Sequence, residues 1–235
     1  MSDYYTLITA LPWLPELEQC RQLPLSRIAL DQRLSMLSDV DKGQLQLVEM
    51  LYHPRASELE HLTDPEVVKR WKMTLQQVTS EEVRARIDYH LELRTLLAAL
   101  RSRSSGLENA SQFHGMGRWV PRIRKHWFEP LFGLEDVCPQ LQQLERVLKK
   151  NEPMLLEKKL NQLLWQDLQL VERQDYFSFV AVACFVLRWG IAERHLQYCA
   201  NEALGQFDQA TATLLANCQL DAHLMGQEIG SGEGL

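Results

Sequence analysis

The feature that most constrains this chain is the run QDYFSFVAVACFVLRWGIAERHLQYCANEALGQFDQATATLLA, residues 174–216, an apolar helix that turns charged and aromatic halfway along. Phe177, Phe179, Val180, Val182, Ala183, Phe185, Val186 and Leu187 leave almost no polar face. A helix that is apolar all round is buried, either in a protein core or in a bilayer. The apolar run, residues 176–187, is too short for a bilayer, which needs roughly 20 predominantly apolar residues. The sequence therefore predicts a soluble helical protein with this helix in its core. Arg188, Trp189, Glu193, Arg194 and His195 follow and give the helix a polar, aromatic end suited to docking.

Composition supports a core of useful size: 235 residues, 46% of them hydrophobic, suffice for one large domain or two small ones. A net charge of −6 and a pI near 5.7 argue against a surface that coats nucleic acid or anionic membrane throughout, while leaving room for local basic patches. The five cysteines, at 20, 138, 184, 199 and 218, are scattered and form no CxxC pair. Neither a disulfide framework nor a zinc site is expected, and a reducing cytosol fits them best. The opening MSDYYTLITALPWLPELEQC has an early acid and two prolines where a secretory signal would have a basic region and an apolar stretch, so no export is expected.

Leu, Gln, Glu, Arg and Ala dominate, as in helical proteins. Asp3 reads as the cap of a short helix over residues 4–11, ended by Pro12 and Pro15. Leu34, Leu37, Leu45, Val48 and Leu51 give helical periodicity over residues 31–52, with Gly43 placed to kink or split it. Thr63-Asp64-Pro65-Glu66 is a cap followed by proline in the first turn, predicting a helix over residues 65–78. Ser80-Glu81-Glu82 opens a longer helix that ends in Arg101 and Arg103, both ends suiting the helix dipole. Two more helices are expected over residues 141–150 and 153–171, and a last one over 206–218, separate from the apolar helix before it. The fold class expected is all-α: a multi-helix bundle with a lobe at 1–105, an irregular connector at 106–139, a second lobe at 140–228 and a tail at 229–235.

No constellation points to catalysis. His90 and Glu92 in DYHLEL lack the i, i+4 histidine partner that a helical metal site requires, so His90 reads as a solvated residue in a charged stripe. His195 and Cys199 do not by themselves imply a nucleophilic pair. No metal or cofactor is expected. Greater interest attaches to GMGRWVPRIRKHWF, where Arg118, Arg122, Arg124 and Lys125 alternate with Trp119, Trp127 and Phe128. Arg and Trp are enriched at binding hot spots, so a docking patch for an acidic protein partner ranks first. A connector whose aromatics tuck onto the core while its cations stay in water ranks close behind. Stacking on bases and pairing with phosphates ranks third. Gly115 and Gly117 do not form a phosphate loop, because no strand precedes them and no GKS or GKT follows. Arg188, Trp189, Glu193 and Arg194 form a second candidate partner surface, with an intrahelical cluster around Glu193 as the alternative.

The segments YYTLITALPWLP, PLSRIALDQRLSML, ELRTLLAALRSRSSG and DYFSFVAVACFVLRWGIAERHLQYCANEALGQF together resemble a bacterial family associated with V/A-type ATP synthase operons. That family resembles a divergent form of the C-type coupling subunit, the counterpart of the eukaryotic V-ATPase d subunit. The resemblance implies an all-helical, non-enzymatic adaptor between the central rotor stalk and the membrane proteolipid ring, cytoplasmic and peripheral to the membrane through the complex. This chain is shorter than a three-lobed coupling subunit of that type and shows no threefold repeat, a departure that bears on the bridging geometry. A helical RNA-binding or regulatory module using residues 118–128, and a helical-bundle enzyme with a metal centre drawn from distant residues, are the rival expectations.

Overall fold

A computed structural model describes residues 2–53, 59–172 and 176–228 of the protein. The described residues are helical with no strand. The helices are α1 (Ser2–Ala10), α2 (Arg27–Leu34), α3 (Asp39–Tyr52), α4 (Asp64–Leu75), α5 (Glu81–Ser104), α6 (Val120–Lys125), α7 (Pro139–Lys149), α8 (Pro153–Glu172) and α9 (Phe179–Glu228). Short 3-10 turns stand at Leu17–Gln19, Ala110–Gln112 and Pro130–Gly133. An all-α bundle is thus what the sequence encodes, through periodic leucines and caps rather than through any long-range signal.

Local chemistry explains the helix starts. Ser26, Ser38 and Ser80 each accept a backbone N–H from three residues on, the usual remedy for the unpaired donors of a first turn. Thr63 and Glu66 form a reciprocal capping box at the start of α4, with Pro65 in its first turn. α1 begins at Ser2, ahead of the expected Asp3 cap.

Two expectations need correcting. The break in the residue 31–52 segment falls between α2 and α3, where Met36 and Leu37 close the helix with 3-10 bonds and Ser38 caps the next; Gly43 lies inside α3 without a break. The Gly43 penalty of about 1 kcal/mol relative to alanine is outweighed there by burial of Leu45, Val48, Leu51 and Tyr52. The helix expected at 206–218 is not separate either, because α9 continues through Gly205 to Glu228. The GSGEGL tail after Ile229 lies outside the described residues.

By its contacts the chain divides within α9, into one compact unit over residues 1–193 and another over 194–235. In the first unit α5 is the organising element: it packs on α3, α7 and α8, while α3 also packs on α4 and α7 on α8. Its residues Val83, Ile87, Leu91, Leu93, Leu96, Leu97, Ala99 and Leu100 are buried. Residues 180–187 of α9 are buried at every position, as the apolar run predicts. The helix begins at Phe179, however, and leaves Tyr176 and Phe177 exposed, while burial continues to residue 192 through Arg188 and Trp189, where a polar docking end was expected. Gly190 gives room there for the His53 ring, which would have to shift because a Cβ would stand 2.6 Å from it. In the second unit the described side chains Leu204 and Phe207 are exposed on α9, and His195 Nε2 lies 3.7 Å from Cys199 Sγ, one turn away.

His90 is also placed differently from the solvated residue expected. It is fully buried, its ring lies 4.0 Å from that of Tyr52, and its Nε2 accepts from Arg94 Nε at 2.8 Å. Tertiary contacts override the local charge pattern there.

Candidate functional site

The basic aromatic segment, residues 113–133, wraps the end of α5 and is irregular in path yet fixed at many points. Phe113, Met116, Ile123, Trp127, Leu131, Phe132 and Leu134 are buried. Trp127 sits between Phe113 and Phe132, with ring centroids 5.5 and 5.6 Å away, and its Nε1 donates to the Leu107 carbonyl at 2.9 Å. The indole is therefore a core residue whose one polar group is satisfied. Leu131, Phe132 and Gly133 have consecutive positive φ angles of 45°, 59° and 63°. For the two non-glycines that conformation costs roughly 1 kcal/mol or more each, and full burial of the Phe132 ring offsets it.

The arginines of the segment are its fasteners. Arg124 donates to the Phe113 carbonyl from Nε at 3.1 Å and Nη2 at 2.6 Å, and Arg122 donates from Nη2 to the Gly133 carbonyl. Arg118 spreads over the Trp119 ring at 4.7 Å and meets the carboxylate of Glu92, a residue of α5 that is itself buried. From the α5 side, Arg103 donates to the carbonyls of Trp127 and Glu129, lies over the Phe132 ring at 4.5 Å, and approaches Glu145 at 3.4 Å. Each of these guanidiniums has five donors and uses only some of them on the fold. Arg118, Arg122, Arg124 and Lys125 remain exposed, as does Phe128 at 81%. The result is a cationic face, four positive side chains against Glu92 and Glu129, tied to the fold by the bonds that the three arginines make.

The second region is built differently. Arg188 is 5% exposed, forms an ion pair with Glu172 on α8, and stacks over Trp165 at 4.3 Å. Trp189 is 1% exposed and donates from Nε1 to the Leu25 carbonyl at 3.0 Å, with Arg27 over its ring at 5.9 Å. Glu193 is half-buried at the end of the first unit; Arg194 belongs to the second. The acid that pairs with Arg188 is thus Glu172 from another helix rather than Glu193, the alternative that the sequence left open. Arg188 and Glu172 also line a cavity of about 360 Å³ with Trp13, Leu14, Tyr176 and Phe185.

Burial sets the titration of several groups. It holds the Asp167 carboxyl above its ordinary value despite Arg86 at 2.6 Å, and raises the thiols of Cys20, Cys138 and Cys184, the last to about 12. Among the described residues no group of three or more His, Cys, Asp or Glu is placed to hold a metal ion, and no helix is long and apolar enough to cross a membrane.

Glu92, Arg103, Glu172 and Trp165 escaped sequence reasoning as partners. No local pattern links Glu92 to Arg118 or Glu172 to Arg188, which are 26 and 16 residues apart.

Compared with known proteins, residues 74–209 match the family described as a protein of unknown function, DUF2764. No curated protein and no solved structure matches the chain.

Proposed function

The chain belongs to the DUF2764 family of proteins of unknown function, and for this member we propose a non-catalytic adaptor role in a bacterial V/A-type rotary ATPase, between the central rotor stalk and the membrane proteolipid ring. The partners come from the resemblance to the V-ATPase d subunit and its bacterial counterparts; the observation that carries the docking role is the fixed cationic face of residues 118–128. An adaptor that transmits torque needs a surface already ordered before its partner arrives, because ordering on binding subtracts from affinity. Here Arg118, Arg122 and Arg124 are held by Glu92 and by the carbonyls of Gly133 and Phe113. Cations on an otherwise acidic chain favour a partner with an acidic surface and speed encounter with it.

The same geometry favours protein over nucleic acid as that partner. Trp127 is buried and the Trp119 ring carries Arg118, so Phe128 is the aromatic of this segment that offers an open face for stacking. Trp189 and Arg188, being buried, support the fold beneath the adaptor rather than its contacts. The protein would sit at the cytoplasmic side of the membrane, reaching it through the ring.

The test is co-purification of rotary-ATPase subunits with wild-type protein and with the double variant Lys125→Glu, Phe128→Ala. These two side chains are exposed and, among the described residues, make no bond to the fold that their loss would break, unlike Arg122 and Arg124. Loss of stalk and ring components from a folded double variant supports the role; unchanged recovery contradicts the assigned surface.

A further inference from the structure

A groove of about 300 Å³ opens between α4 and α5, bordered by Phe113, His114 and Gly115 at the start of the basic aromatic segment but not by its exposed cations. Val67, Val68 and Trp71 of α4 line it, together with Leu107 and Phe113. On α5, residues 95–100 are buried with the single exception of Ala98, whose small side chain lies in the lining of the groove. Arg94, Ala98 and Arg101 follow at i, i+4 and i+7, so one face of α5 presents a cation at each end and a methyl group between.

The two cations are not equivalent. Arg101 has Glu157 at 4.0 Å. Arg94 donates through Nε to His90 Nε2, and among the described residues its Nη groups meet no carboxylate or carbonyl. Because His90 accepts on Nε2, its own proton belongs on Nδ1; the ring is fully buried against Tyr52, so it fixes the guanidinium by one edge and leaves the other edge toward partners. The remaining acid in the lining, Asp64, stands in the first turn of α4, where the helix dipole favours a negative charge.

We infer that this groove binds a small organic monoanion, a carboxylate carried on an apolar, ring-sized body. The free edge of a guanidinium matches a carboxylate with two parallel hydrogen bonds. Val67, Val68 and Trp71 would cover the apolar body, and the volume lies at the small end of the range for ligand sites. A dianion such as a phosphate monoester is disfavoured, since Asp64 and Glu157 share the lining and one cation alone lacks an acid. The site goes beyond the adaptor role and does not depend on it.

The probe is 3-phenylpropionate, titrated into the full-length protein and followed by NMR, with the neutral 3-phenylpropionamide as control. Expected are saturable shifts of the residue 94–101 amides and the Trp71 indole in the millimolar range, roughly tenfold weaker for the amide. Arg94→Gln should reduce acid binding to the level of the amide. Ala98→Leu, which fills the groove and leaves every charge in place, should abolish both, and it keeps the test available if Arg94→Gln disturbs the fold. Equal binding of acid and amide, binding that survives Ala98→Leu, or no saturable shift in the groove overturns the assignment.

Discussion

The Glu92 carboxylate holds Arg118 at two points: Oε1 accepts from the Arg118 backbone N–H at 3.0 Å, and Oε2 lies 3.4 Å from its Nε. Beside this contact stands Gly117, with φ at +90°, where a Cβ would lie 2.2 Å from Glu92 Cγ. A glycine is required there twice over, by conformation and by room. Glu92 thus joins the cationic segment to the core helix α5, and its loss should be felt in both order and stability.

Replacing Glu92 by alanine removes a charged acceptor from a half-buried N–H, and should cost about 1–3 kcal/mol in urea unfolding. Gly117→Ala should cost about 2 kcal/mol or more through the left-handed backbone and the clash. The double variant should lose less than the sum of the two single losses, because both act on one contact. Strict additivity would mean that Glu92 does not hold this turn.

The pair of Arg188 and Glu172 is asymmetric, with side chains 6% and 25% exposed. Glu172→Ala leaves a buried guanidinium without its acid and should cost about 3 kcal/mol. Arg188→Met keeps the packing on Trp165 and leaves an acid that can reach water, so it should cost less. Thermal unfolding of the two variants decides the order, and the reverse order contradicts the burial described.

Burial raises the Cys184 thiol to about 12 and raises Cys20 and Cys138 as well, whereas Cys199 is half-exposed. Because the thiolate is the reactive form, native protein treated with iodoacetamide at about pH 8 should be modified at Cys199 well before Cys184. Peptide mass mapping reads this directly, and denaturation should bring Cys184 into reaction.

Glu66 accepts from the backbone N–H of Thr63 at 2.8 Å and from its hydroxyl at 2.7 Å, and these bonds lower the Glu66 carboxyl below its ordinary value of 4.5. A depressed folded-state value means that the cap contributes its stability above the ordinary glutamate value and loses it as pH falls through the folded one. The advantage of wild type over Glu66→Gln should therefore be constant at neutral pH and shrink in acid, as followed by circular dichroism of unfolding.

Helix existence is legible because capping residues and apolar spacing act locally: Thr63 and Ser80 announce their helices, and the apolar run announces a buried one, although its first residues, Tyr176 and Phe177, lie exposed ahead of the helix. What escapes is every feature decided by a distant partner. His90 lies in a sequence of charges, yet Tyr52 and Arg94 bury and fix it. Trp127 and Trp189 look like docking aromatics beside arginines, and each spends its N–H on a backbone carbonyl far away in the chain. Glycine and proline punctuate residues 106–139, but punctuation cannot show that such a path is pinned by Arg103, Arg122 and Arg124. Gly43 misleads for the converse reason: a glycine lowers helix propensity by an amount that neighbouring burial overrides.

The most direct measurement is quantitative co-purification from the native host, comparing wild-type protein with Lys125→Glu, Phe128→Ala at equal expression and equal helicity. The adaptor account predicts that wild type recovers central-stalk and proteolipid-ring components in stoichiometric amounts, that the double variant loses them, and that raised salt weakens the wild-type association. Recovery of the same components by both proteins, or of none by wild type, would contradict it.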